Sequence, residues 1–87
     1  MIIVSQDRKK IINFERIKSI WISNDTEEYF EINADGELLG NYKTEERAEK
    51  ILEYIIKTYL SYASVKNLTG DIKSIHTIPS AYVMPKE

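Results

Sequence analysis

Short apolar runs alternate with polar breaks over the first half of this chain, and the period changes once, near residue 44. Ile2 to Ser5 and Lys10 to Phe14 are brief runs of β character, separated by the polar Gln6-Asp7-Arg8-Lys9. Glu15-Arg16 breaks the pattern. Ile17 to Ser23 is then rich in β-branched and aromatic residues, the composition of a strand. Asn24-Asp25-Thr26-Glu27 supplies turn-forming side chains, and Tyr29 to Asn33 reads as the fourth strand. Ala34-Asp35-Gly36-Glu37 carries the Asp-Gly signal of a two-residue hairpin, and Leu38 to Tyr42 follows as the fifth strand. Short runs joined by tight turns predict an antiparallel meander rather than βαβ crossovers.

The change of period marks a helix. Thr44 is a good N-cap, because its hydroxyl can accept from a backbone N–H of the first turn. Glu45 and Glu46 then place negative charge at the positive end of the helix dipole. Position 47 is Arg, so the motif is a cap and not a full capping box. Ala48, Ile51, Leu52, Ile55 and Tyr59 follow helical spacing and make a stripe that should lie on the sheet, with the helix ending at Tyr62 or Ala63. Ile56 and Leu60 widen the apolar arc to one side, with Tyr54, Tyr59 and Tyr62 nearby. Covering that flank is worth about 25 cal/mol per Å² of apolar area. Either a second copy of the chain or the C-terminal segment is expected to cover it, and Ile56, Leu60, Tyr59 and Tyr62 are the candidate oligomer contacts.

Beyond the helix, Asn67 to Asp71 is rich in turn residues. Ile72 to Ile78 has an apolar spacing of three that fits an extended segment or one helical turn, and Pro79 ends it. Ala81 to Met84 can add an edge strand before Pro85. The fold expected is one α+β domain over 1–87: an antiparallel sheet of about five strands, one long amphipathic helix packed across it, and a short C-terminal extended segment.

Composition narrows the chemistry. At 87 residues, 43% hydrophobic and 30% charged, the chain suits a single small core. A formal charge of −2 gives no basic field to draw in a polyanion, although Arg8-Lys9-Lys10 with Arg16 and Lys18 is locally basic; nucleic acid is disfavoured as a partner. Without cysteine there is neither a disulfide nor a thiolate metal site. No apolar run approaches the roughly 20 residues that span a bilayer, and Met1-Ile2-Ile3-Val4 is interrupted too soon to be a signal segment, so a cytoplasmic protein without a membrane partner is expected.

Catalytic signals are thin. The one histidine, His76, has no nucleophile elbow or triad spacing with it and reads as a packed or surface residue. One histidine and scattered acids do not make a zinc site, and Asn24 to Glu28 lacks the length and glycine of a calcium loop. Three glycines, none clustered, exclude a phosphate-cradling loop. The head of the helix, flanked by Lys43 and Arg47, is a weaker device for an anion, with Glu45 and Glu46 opposing it. Six tyrosines and a tryptophan are more amphipathic aromatics than a small core needs, which points to binding. The expectation is therefore a binding protein, not an enzyme, with no cofactor and no metal.

Val4-Ser5-Gln6-Asp7, Ile12-Asn13-Phe14, Leu39-Gly40-Asn41-Tyr42-Lys43-Thr44-Glu45-Glu46-Arg47-Ala48 and Tyr82-Val83-Met84-Pro85-Lys86, in that order, resemble a group of small uncharacterised proteins of phages, prophages and mobile elements in low-GC Gram-positive bacteria. The resemblance spans nearly the whole chain and brings no assigned activity, so it transfers no functional residues. The setting it implies is a non-catalytic anti-defence inhibitor of a host protein, acting as a homo-oligomer in the host cytoplasm. One alternative is a sponge for a small nucleotide signal, cyclic or ADP-ribose-like, with Lys43 and Arg47 on phosphates and Tyr42 or His76 stacked on a base. A further alternative is a minor virion or assembly protein.

Overall fold

The computed structural model describes residues 1–67 and 81–87, and in it Asp35 and Gly36 form the centre of a two-residue turn with φ of 50° and 85°. Two consecutive positive φ values match the right-handed twist of the flanking strands, β4 (Phe30–Ala34) and β5 (Glu37–Tyr42). Asp35 is held in its left-handed conformation through its carboxylate, which accepts from the N–H groups of Lys18 at 3.0 Å and Ser19 at 3.1 Å. Those amides are no longer available to a ladder, so β3 (Ile20–Ser23) begins three residues later than its composition suggests. The order β3-β4-β5 is an antiparallel meander, as expected.

The β4–β5 ladder is irregular at one point. Ile32 faces Gly40 and Asn33 faces Leu38, which makes Leu39 the extra residue of a bulge in β5. The Leu39 side chain is buried, while its carbonyl accepts from the Gln6 N–H at 2.7 Å.

The remaining strands form a second sheet. β1 (Ile2–Val4) pairs antiparallel with β2 (Ile11–Asn13) and, on its other side, parallel with β6 (Ala81–Val83). Ser5 closes the β1–β2 loop: its hydroxyl donates to Asp7 Oδ1 at 2.6 Å and accepts from the Lys10 N–H at 3.0 Å. The Ser5 hydroxyl and the Lys9 N–H hold the Asp7 carboxyl below its ordinary range. β2 stops before Phe14 because the Asn13 side chain accepts from the Glu15 N–H and starts a 3-10 turn, Phe14–Arg16.

The α+β class holds, but among the described residues the single sheet of about five strands is instead two sheets of three. Gln6 supplies the reason. Its own N–H takes the Leu39 carbonyl, and its side-chain amide accepts from the Asn41 N–H at 2.8 Å and donates to the Asn41 carbonyl at 3.0 Å. A side-chain amide thus satisfies the free edge of β5 where a neighbouring strand would have paired.

Helix α1 (Glu45–Asn67) starts as its cap demands, with Thr44 Oγ1 accepting from the Arg47 N–H at 3.1 Å. Ala48, Ile51 and Ile55 are fully buried against β4 and β5, while Leu52 and Tyr59 are half-buried beside them. One core unites both sheets: Ile3 and Met84 meet Ile32, Leu39 and the helix stripe. Each such aliphatic side chain contributes about 1.5–3 kcal/mol of burial. Among the described residues, no helix is long and apolar enough to cross a membrane. The segment Ile72 to Ile78 and Pro79 lie outside the described residues.

Candidate functional site: a cleft at the head of the helix

A cleft of about 440 Å³ opens where β5 hands over to α1. β5 contributes Asn41 and Tyr42, the connection contributes Lys43 and Thr44, and the first helical turn contributes Arg47. Tyr29, just before β4, forms part of the wall because its neighbour Phe30 pairs with Tyr42 across the hairpin. Lys86 and Glu87 of the C-terminal tail close the remaining side.

Tyr42 is the floor. Its ring folds back over Gly40 so closely that a Cβ there would stand 2.9 Å from it, which is why a glycine occupies this strand position. Its hydroxyl donates to the Pro85 carbonyl at 2.7 Å, and burial pushes the phenol up to about 12. Burial likewise raises Tyr82. With 2% of its surface exposed, Tyr42 presents no open face for a base; the open ring at the cleft is Tyr29, at 38%.

The charges have one dominant sign. Lys43, Arg47 and Lys86 line the cleft with one acidic side chain, that of Glu87. Among the described residues neither lysine makes an ion pair. Arg47 directs Nε and Nη2 to the Glu87 main-chain oxygen at 3.0 and 2.8 Å. The Asn41 side-chain oxygen is buried without a hydrogen-bond partner among the described residues, an expensive state for an acceptor unless something donates to it. Ammonium, guanidinium and ring together suit an anion that carries a flat group.

Of the candidate ligand residues, Tyr42, Lys43 and Arg47 come together here, and His76 lies outside the described residues. Tyr29 and Lys86 escaped the reading of the sequence. Tyr29 was within reach of it, because counting back from the Asp-Gly turn in plain register places Tyr29 opposite Tyr42. Lys86 had no local signal. Among the described residues no three His, Asp or Glu side chains converge to hold a metal ion.

The candidate oligomer contacts divide. Ile56 and Leu60 are 47% and 60% exposed and lie one turn apart on one flank of α1. Tyr59 and Tyr62 turn inward onto the core, Tyr59 with its ring 4.7 Å from Phe14 and 6.3 Å from Tyr62. The basic N-terminal stretch is largely engaged within the fold: Arg8 donates to the Ser5, Gln6 and Met84 carbonyls, and Lys10 pairs with Glu37 at 3.0 Å. Comparison with family models, curated proteins and solved structures returns no match.

Proposed function

We propose that this chain is a non-catalytic binding protein of the phage and prophage kind, and that its cleft takes a small nucleotide-like anion. The observation that carries this reading is the convergence of Lys43, Arg47 and Lys86 with the open ring of Tyr29 around one cleft of about 440 Å³, in a protein whose net charge is negative. Phosphate oxygens would meet the three cations, and a base would lie against Tyr29. Pocket volumes of roughly 300–1,000 Å³ are usual for ligands of this size.

Calorimetry against ADP, ADP-ribose, a cyclic dinucleotide and inorganic pyrophosphate tests it. Saturable heat is expected with at least one nucleotide, weakened about tenfold by Lys43→Gln, a loss of about 1.4 kcal/mol, and weakened again by added salt. Heat with pyrophosphate alone would make the site a plain anion site, and no heat with any of the four would remove the reading.

A second reading, an inhibitor of a host protein that works as a homo-oligomer in the host cytoplasm, is favoured by one observation: the adjacent exposure of Ile56 and Leu60. Light scattering should then find an assembly that Ile56→Glu or Leu60→Glu splits. A wild type that stays monomeric at high concentration ends that proposal.

A further inference from the structure

The C-terminal tail meets the rest of the molecule in an unusual way. After Met84 donates its N–H to the Val4 carbonyl at 2.9 Å, the ladder with β1 ends, yet the next stretch is not left to solvent. Four consecutive main-chain oxygens are each taken by a different side chain. Arg8 Nη1 donates to Met84 at 2.7 Å, the Tyr42 hydroxyl to Pro85 at 2.7 Å, Gln6 Nε2 to Lys86 at 2.8 Å, and Arg47 to Glu87 at 3.0 and 2.8 Å. The donors come from the β1–β2 loop, the end of β5 and the first turn of α1. Pro85 suits its place, since a segment read through its carbonyls loses nothing by lacking an N–H.

We propose that residues 84–87 are a strap held by carbonyl capture, that Gln6 is the positioning residue joining the strap to β5, and that this clamp completes the anion cleft by delivering Lys86 to it. The clamp's role in binding rests on the nucleotide reading of the cleft and adds how that site is assembled. Capture by the backbone leaves the tail's side chains free for other work: Met84 fills the core, and Lys86 and Glu87 line the cleft. The Gln6 side chain stands outside the cleft, yet it bonds two of the cleft's wall residues at once, Asn41 by both its backbone groups and Lys86 by its carbonyl. Every hydrogen-bonding group of its amide except one oxygen lone pair is thereby used. Since a bound anion meets Lys86 only when the strap is seated, occupancy and seating favour one another, and the linkage is reciprocal.

Amide hydrogen exchange and calorimetry with ADP-ribose, on the full chain, separate the parts of the claim. Gln6→Glu keeps the acceptor for Asn41 but removes both donations and sets a carboxylate against two carbonyls. The Met84 N–H should exchange at least tenfold faster in that variant, while the amides of β3 and β4, which Gln6 does not touch, stay within about twofold of wild type. Should Gln6→Glu unfold the chain, Tyr42→Phe removes one hydroxyl from the same clamp and should give a smaller rise at Met84. Unchanged Met84 protection in these variants overturns the clamp, whatever binds the cleft.

For ADP-ribose, Gln6→Glu and Lys86→Gln should each weaken binding about tenfold, and Gln6→Glu should cost little more once Lys86 is already Gln. Fully additive losses would show that Gln6 does not act through Lys86 and would overturn its positioning role. Where another nucleotide of the panel binds in place of ADP-ribose, it serves in the same cycle; a wild type that binds none of the four probes overturns the nucleotide reading, and the exchange ratio then decides the clamp by itself.

Discussion

The β3–β5 meander and the β2–β1–β6 sheet have three strands each, but they are held together by different means. In the meander every connection is short, the register follows from the Asp35-Gly36 turn, and one face is sealed by Ile51 and Ile55 of α1. In the second sheet β6 pairs with a strand nearly eighty positions earlier in the chain, over only three residue pairs. Its continuation is secured by an amide, a phenol and two guanidinium groups. The contrast teaches that a short strand far away in the chain can be anchored by polar side chains reading its carbonyls, where local turn chemistry and apolar area would not suffice. It also places the candidate site at the seam, since the cleft takes one wall from each region.

The largest expected effect erases the contrast. Ile51→Ala empties the core that both regions share and should cost about 2–5 kcal/mol in denaturant unfolding, with β4 and β6 amides losing protection together. If only the meander loosens, the two sheets do not share one core energetically.

Gly40→Ala should sharpen the contrast. The new methyl would stand 2.9 Å from the Tyr42 ring, and relief requires that ring to leave the Pro85 carbonyl. A loss of about 1–3 kcal/mol is expected, with the tail exchanging faster than the Asp35-Gly36 hairpin. Equal loosening at both places would show that Gly40 serves the strand and not the strap.

Tyr42→Phe is the gentlest change, about 1 kcal/mol for one hydroxyl bond. It also carries a pH signature. Folding raises the Tyr42 phenol from its ordinary value of 10.0 to about 12, so the folded state keeps the proton where the unfolded state begins to lose it. The associated stability is therefore complete below pH 10.0 and is lost as pH rises through about 12. Unfolding curves over that window should fall more gently for the phenylalanine variant than for wild type. Identical slopes would remove Tyr42 from the alkaline transition.

Much of this architecture was legible residue by residue. The period change at Thr44, the cap on Arg47, the buried stripe through Ile51 and Ile55 and the Asp-Gly turn all depend on neighbours within a few positions, and those relations are written in order along the chain. Lys43 and Arg47 belong to the same class, since a helix start places flanking side chains wherever it occurs. Local sequence decided these because turn angles, caps and helical periodicity are short-range consequences of backbone sterics and side-chain shape.

Tertiary structure alone decided the rest. No local pattern says that Gln6 will end a five-stranded sheet by satisfying the edge of β5, or that β6 will lie parallel to β1. Nor does one say that Tyr42 will be buried under the tail while Tyr29 keeps its open face, or that Lys86 will reach the head of a helix some forty positions earlier in the chain. Each of these depends on a polar atom finding a partner across the fold, and such pairings form only where the packed core brings distant segments within hydrogen-bonding distance.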